Sequence, residues 1–195
     1  MRKSDFFETE LQLIENEDLR EFVREIFDDI VPAYFWEIGA SASGKYHPEF
    51  TKGEGGLVRH TKAVAQICEE LLRMNTYAYM RDEYKDFARV ACLLHDTAKY
   101  GREDEPDKEA YKEHGKLAAE MVENAFYYRG KKFDNHAPEL LVMAIRAHMG
   151  QWTPEREDRP FTNIDRLVHL ADYIASRPMF DCPAIIADYN RVKGE

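Results

Sequence analysis

Four histidines and two aspartates stand where a helical repeat would turn them toward an apolar interior. His60 lies three residues after Leu57 and four before Val64, and His114 lies four before Ala118. Residues three or four apart share one face of a helix, so these imidazoles are predicted to point inward with their apolar neighbours. The remaining members of the set follow the same spacing or adjoin an apolar position: His95, Asp96, His148 and Asp172.

Such a set is costly to bury without a partner, because an unpaired carboxylate or polar group inside a protein costs several kcal/mol. A single histidine on an apolar face is more often a core residue with a satisfied ring, but six such groups on five helices favour a bound divalent cation. The set suits one octahedral ion completed by waters, or two ions that share a carboxylate. Since no thiolate is offered, Fe, Mn, Co, Ni or Mg is favoured over Zn. His114 and His148 could alternatively bind substrate phosphate.

The elements that must position these groups are predicted to be helices. Apolar periodicity predicts helices at about 56–75, 83–100, 111–129, 138–150, 163–176 and 183–191, after one or two within 5–37. Strand signals are weak, so the fold class is all-α with one core. The predicted organisation is an N-terminal unit of helices and a loop at 1–54 that packs on the core, a core at 55–177 and a C-terminal helix or tail at 178–195.

Composition limits the partners. The chain has 195 residues, 44% of them hydrophobic, and 27 basic against 37 acidic side chains give a net charge of −10. A chain this acidic is not expected to coat long nucleic acid, so a phosphate ligand must be attracted locally. Three cysteines without metal-ligand spacing, no signal-peptide core and no membrane-length apolar run predict a cytoplasmic protein. The N-terminal residues Phe6, Leu11, Phe22 and Phe27 could pack across a homodimer.

Five short motifs in order resemble the HD-domain superfamily, and the order resembles its two-metal branch. They are GGLVRHT at 55–61, LLHDTAK at 93–99, EHG at 113–115, AHMG at 147–150 and HLADYI at 169–174. Within the superfamily, the first motif and the HMGQW segment at 148–152 look most like the HD module of bacterial 3′-to-5′ exoribonucleases. The symmetrical dinucleoside tetraphosphate hydrolases are also similar. The resemblance implies a single HD-domain helical bundle with a metal site in its core.

The resemblance also implies roles for individual residues. His60, His95, Asp96 and Asp172 would hold a first ion and His114 with His148 a second, bridged by Asp96. The implied activity is metal-dependent hydrolysis of a phosphoester or phosphoanhydride by an activated water, with Asp96 and Lys99 as catalytic residues. Lys99 would also grip a substrate phosphate. The other predicted substrate contacts are Arg177, His47 in a loop over the pocket, and Trp152, which would stack on a base.

Several alternatives remain open from the sequence. The chain could be a catalytically silent metal-containing module that senses a nucleotide, or it could act like a 3′-to-5′ exonuclease on short RNA. An oxygen-activating di-iron enzyme that uses the same set of ligands is a further possibility. The substrate is predicted to be a small phosphorylated compound, in particular a nucleotide. His169 is predicted either to orient Asp172 or to pack, and His136 to lie on the surface.

Overall fold

The structure is a computed structural model that describes residues 1–41, 46–129, 137–153 and 155–194, so His136 lies outside the described residues. These residues form helices and turns with no β-strand, which confirms the predicted all-α class. The α-helices are α1 Glu8–Leu11, α2 Glu17–Asp29, α3 Gly56–Leu72, α4 Asn75–Ala78, α5 Asp82–Leu94, α6 His114–Arg129, α7 Ala137–Ala147, α8 Asn163–Ala175 and α9 Pro183–Lys193. Short 3₁₀ segments lie at Lys3–Phe7, Ala33–Trp36, Glu49–Thr51, Lys108–Lys112, Gly150–Trp152 and Arg156–Asp158.

Helix α5 is the centre of the core. It packs against α3, α7 and α8, while α6 packs on α7 and α3 on α8. The face of α5 that does this carries Phe87, Val90, Ala91 and Leu94, all fully or almost fully buried. An apolar stripe wide enough to meet three helices is what a central bundle helix requires. Helices α3, α7 and α8 therefore all lie against α5.

The predicted helix over 83–100 is too long at its C-terminal end, because α5 ends at Leu94 and turns follow. The Nδ1 atom of His95 lies 2.8 Å from the carbonyl oxygen of Cys92, and the Thr97 hydroxyl donates to the carbonyl of Leu94 at 2.7 Å. These side chains satisfy carbonyls at the helix end that have no intrahelical partner. Lys99 therefore lies after the turn that follows α5 and not on α5 itself.

The N-terminal segment completes the core, so its large apolar side chains are not available for a partner. Leu11, Phe22 and Phe27 are buried within the chain, and Phe6 is partly buried against the same cluster. The proposal that these side chains pack across a dimer is therefore wrong. Their rings and methyl groups lie against the bundle, so their apolar surface is already removed from water within one chain. A homodimer through another surface stays a prediction.

Helices α3 and α8 begin at defined points. Thr162 caps α8: its hydroxyl accepts from the backbone N–H of Asp165, whose carboxylate accepts from the N–H of Thr162. Helix α3 begins after Gly55, which has a positive φ of 64° and lies directly beneath the Tyr189 ring of α9. A side chain at Gly55 would be strained and would collide with that ring.

Candidate metal centre

The six predicted ligands converge at the inner ends of five elements. His60 lies within α3 and Asp172 within α8, whereas His95 and Asp96 follow the end of α5. The Nε2 atom of His60 lies 3.0 Å from an oxygen of Asp172, and His95 Nε2 lies 3.9 Å from the same oxygen. Two further members sit at helix ends: His114, the first residue of α6, and His148, one residue past α7.

Asp96 lies between two pairs of imidazoles, one pair at each oxygen. Its Oδ2 is 3.8 Å from Nε2 of His60 and 3.6 Å from Nε2 of His95. Its Oδ1 is 2.9 Å from Nε2 of His114 and 3.6 Å from Nε2 of His148. One carboxylate thus faces two separate groups of nitrogen donors, an arrangement suited to bridging two cations.

Three of these imidazoles are oriented in the same way. The Nδ1 atoms of His95, His114 and His148 lie 2.8, 2.5 and 2.7 Å from the carbonyl oxygens of the residues three positions earlier, Cys92, Tyr111 and Ile145. A carbonyl can only accept, so Nδ1 must carry the proton. Each Nε2 of a neutral ring then keeps a free lone pair directed at the centre of the cluster, as a metal ligand requires.

These donor atoms fit a divalent cation better than they fit one another. His95 Nε2 and Asp96 Oδ1 are buried and have no hydrogen-bond partner among the described residues. The Nε2 atoms of His114 and His148 lie 2.9 Å apart, and two lone pairs at that distance repel unless a proton or cation lies between them. The ligand atoms of His60, His95 and Asp172, and those of His95, Asp96 and His148, lie within 4.8 Å of one another. The set could therefore hold a metal ion.

Burial and charge set the protonation of the cluster. Burial lowers the pKa of His95 to about 3, so its ring is neutral at physiological pH. Burial alone would raise the pKa of the Asp96 carboxyl, but the charges around it, chiefly the ammonium of Lys99, hold that pKa well below its usual range. Burial likewise lowers the pKa of His114, whereas Asp96 outweighs burial and raises the pKa of His148.

The cluster forms the floor of a pocket of about 470 Å³, within the range of small-ligand sites. All four predicted substrate contacts line it: Lys99, Arg177, His47 and Trp152. Lys99 is buried, and its Nζ donates to Oδ2 of Asp96 at 2.5 Å. His47 lies beside the ring of His60, with 5.0 Å between ring centroids, so the loop that carries it does border the pocket.

Sequence reasoning missed three aromatic side chains at this pocket. Tyr46 and Tyr111 line it, and Tyr173 contacts both Trp152 and Arg177 at its edge. Tyr173 directly follows Asp172, and its place beside a ligand was the one available signal. His169 does not hydrogen-bond to Asp172; its Nδ1 instead lies 2.8 Å from the backbone carbonyl oxygen of His148.

Gly150 makes room for that contact. It has a φ of 63°, and a Cβ atom there would overlap the imidazole of His169. The segment after α7 can therefore pass close to α8 only with glycine at this position. The close approach places the carbonyl of His148 within reach of His169 and so fixes the backbone at one of the candidate ligands.

Comparisons with known proteins identify the family. Neither curated proteins nor solved structures gave a match. Among the described residues, none of the helices combines the length and apolar content that a bilayer crossing requires. The model of the HD domain family matches residues 57–177, more than half of the chain and the part that carries all six converging groups. The chain thus belongs to the HD domain family, whose members bind divalent metals and are in general metal-dependent phosphohydrolases.

Proposed function

We propose that this chain hydrolyses a phosphoester or phosphoanhydride bond of a small nucleotide-type substrate. The observation that carries the proposal is the position of Asp96, whose two oxygens face His60 with His95 on one side and His114 with His148 on the other. We infer two divalent ions, held by His60, His95, Asp96 and Asp172 and by Asp96, His114 and His148. Such ions supply Lewis acidity and an activated water for attack on phosphorus.

The remaining residues of the pocket have roles that suit a phosphate ester. Lys99 brings a buried cation to the floor of the pocket, where it can bind a phosphoryl oxygen of the substrate. Its present partner is Asp96, so the ammonium group is already held beside the site of reaction. Since the chain carries a net charge of −10, this local cation matters for drawing in an anion.

A nucleotide is favoured by the other residues that line the pocket. Tyr46, Tyr111 and Trp152 line it with exposed rings, and Arg177 lines it as well. Aromatic rings beside a cation suit a planar base joined to a phosphate. The pocket volume of about 470 Å³ suits a small ligand rather than a long polymer.

The first test is hydrolysis. Purified protein with Mn²⁺ is expected to cleave bis(p-nitrophenyl) phosphate or members of a nucleotide panel. The reaction is measured at a fixed pH from the amount of product released. The His95→Ala, Asp96→Ala double variant is expected to lose at least about a thousandfold in rate, because it removes a ligand of each proposed ion. The matched control is Asp181→Ala, an exposed carboxylate outside the pocket.

A second measurement separates the two-ion from the one-ion form. Metal analysis of the purified protein is expected to give two equivalents per chain, and His114→Ala is expected to reduce that to one. One equivalent in the parent protein would leave His114 and His148 as phosphate-binding groups. Full metal loading with no turnover of any phosphate ester would instead favour a ligand-sensing module.

A further inference from the structure

The mouth of the pocket carries an ordered pair of aromatic rings. Trp152 and Tyr173 lie nearly parallel, at 13° between planes and 6.0 Å between centroids. The guanidinium carbon of Arg177 lies 4.2 Å from the centroid of the Tyr173 ring. We call these three side chains the stacking platform. Trp152 belongs to the 3₁₀ segment Gly150–Trp152 and Tyr173 to α8, so tertiary packing and not one helix face makes the two rings parallel.

Local contacts fix the stacking platform in place. The Nε of Arg177 donates to the backbone carbonyl of Tyr173 at 3.0 Å, and a second guanidinium nitrogen donates to the hydroxyl of Ser176 at 3.0 Å. Trp152 packs at an angle against His169, with 6.3 Å between centroids, and His169 also contacts Tyr173. The stacking platform therefore contacts His169, the residue whose Nδ1 lies beside the backbone carbonyl of His148.

A purely structural explanation of the platform does not account for its exposure. A tryptophan that anchors a loop buries its ring, but Trp152 is 53% exposed and Tyr173 37% exposed. Leaving large rings in water forgoes the free energy that burial would provide. Trp152 lines the pocket that also contains Asp96 and Lys99, so the exposed ring faces the space where a substrate would lie.

The lining offers stacking surface but little that could read the edge of a base. Apart from the proposed metal ligands, His47 and Lys99, the described lining residues are Tyr46, Tyr111, Met149, Trp152, Ser176 and Arg177. These six described residues include no side-chain amide and no carboxylate. The guanidinium of Arg177 could pair with the edge of guanine, but two of its nitrogens already donate to the carbonyl of Tyr173 and the hydroxyl of Ser176. The Ser176 hydroxyl already donates to the carbonyl of Tyr173. Stacking on aromatic rings is tolerant of sequence because every base has a π-face.

We propose that the stacking platform binds the aromatic ring of the substrate by stacking and does not distinguish one base from another. The inference rests on the proposed function, since it assigns the part of the substrate that lies beyond the phosphate. The site therefore selects phosphate esters that carry a planar ring over those that carry only a sugar. It accepts purine and pyrimidine nucleotides alike.

The first arm of the test measures binding without turnover. Adenosine and cytidine, which carry no phosphate, are expected to quench the fluorescence of Trp152, whereas ribose is not. Trp36 is the other tryptophan of the chain, so the Trp152→Phe variant reports its separate contribution. Tyr173→Ala is expected to weaken nucleoside binding by on the order of tenfold. The control Tyr79→Ala removes a 94% exposed ring that does not line this pocket, and it is expected to change nothing.

The second arm measures selectivity in hydrolysis. The ratio of kcat/KM for adenosine monophosphate to that for ribose 5-phosphate is expected to exceed about tenfold and to collapse in Trp152→Ala, while Trp152→Phe retains it. The four common nucleotides are expected to agree within about threefold. Equal hydrolysis of ribose 5-phosphate and adenosine monophosphate, or strong preference for one base, would overturn the platform while leaving the phosphohydrolase intact. Nucleoside quenching with no ester hydrolysed would overturn the proposed function and retain the ring site.

Discussion

Two buried charged clusters share helix α3, and they differ in whether the protein satisfies them. His60 belongs to the metal centre, where buried nitrogen and oxygen atoms lack hydrogen-bond partners within the part of the chain that the structure describes. Lys62, two residues later, is fully enclosed by its own partners: its Nζ contacts Glu10 at 2.7 Å, Asp188 at 2.8 Å and the backbone carbonyl of Phe6 at 2.7 Å. We call this second group the Lys62 cluster.

The difference separates structural from ligand-binding polarity. In the Lys62 cluster the one ammonium contacts two carboxylates and a carbonyl, so each of these groups has a partner and the cluster ties the N-terminal segment and α9 to α3. In the metal centre, three imidazoles each direct a lone pair at the same carboxylate. The two clusters are alike in burial and in carrying charged groups, and they differ in how completely their polar atoms are paired.

The largest expected effect on stability is at the Lys62 cluster. Lys62→Met leaves the carboxylates of Glu10 and Asp188 without their buried cation, and the free energy of unfolding is expected to fall by about 3 kcal/mol. Urea denaturation followed by circular dichroism at pH 7 measures it. The control is Lys85→Met, which breaks an exposed pair with Asp82. A Lys62→Met protein as stable as this control would erase the contrast between the clusters.

The metal centre is expected to respond to an ion instead. Mn²⁺ at about one hundred times its dissociation constant is expected to raise the free energy of unfolding by about 2.7 kcal/mol. Asp96→Ala, which removes the carboxylate that faces both groups of imidazoles, should abolish that response, whereas Glu10→Gln in the other cluster should keep it. The measurement is thermal unfolding with Mn²⁺ and with a chelator. Mn²⁺ stabilisation that survives in Asp96→Ala would place the ions elsewhere.

A smaller effect is expected one step away from the ligands. His169→Phe keeps a ring against Gly150 but loses the hydrogen bond to the carbonyl of His148, and Mn²⁺ affinity is expected to fall on the order of tenfold. His169→Asn can restore the donor and is expected to recover most of the loss. Isothermal titration with Mn²⁺ measures both variants. Equal affinities in all three proteins would show that this carbonyl needs no support.

The smallest effect is expected at the ion pair between the buried Arg24 and the half-exposed Glu8, which lies in neither cluster. Arg24 and Gln12 hydrogen-bond to Glu8 and lower the pKa of its carboxyl from 4.5 to about 2. A lowered folded-state pKa adds stability above about pH 4.5, and this is lost as the pH falls through about 2. Solvent screening keeps it below about 1 kcal/mol. Urea unfolding of the parent and Glu8→Gln at pH 6 and pH 2 should show the difference shrinking; a constant difference would contradict this.

The helical repeat was enough to predict the all-α fold, because apolar periodicity is a local property of sequence. The same repeat placed His60, His114 and Asp172 on inward faces, and the structure finds His60 and His114 close to Asp96 and Asp172 close to His60. It could not predict where α5 ends, since side-chain hydrogen bonds made after the helix decide that. Nor could it predict the Lys62 cluster: Lys62 reads as a surface residue, and its partners come from near both ends of the chain.

The bonds from three imidazoles to carbonyls three residues earlier have a consequence for how the cage is assembled. Each ring is oriented by a hydrogen bond to its own local backbone, so its orientation is set when that turn forms and does not require the packed bundle. Tertiary packing then brings together nitrogen donors that are already oriented. A short peptide segment carrying one such turn is accordingly a transferable unit, whose histidine would keep its orientation at the end of an unrelated helix.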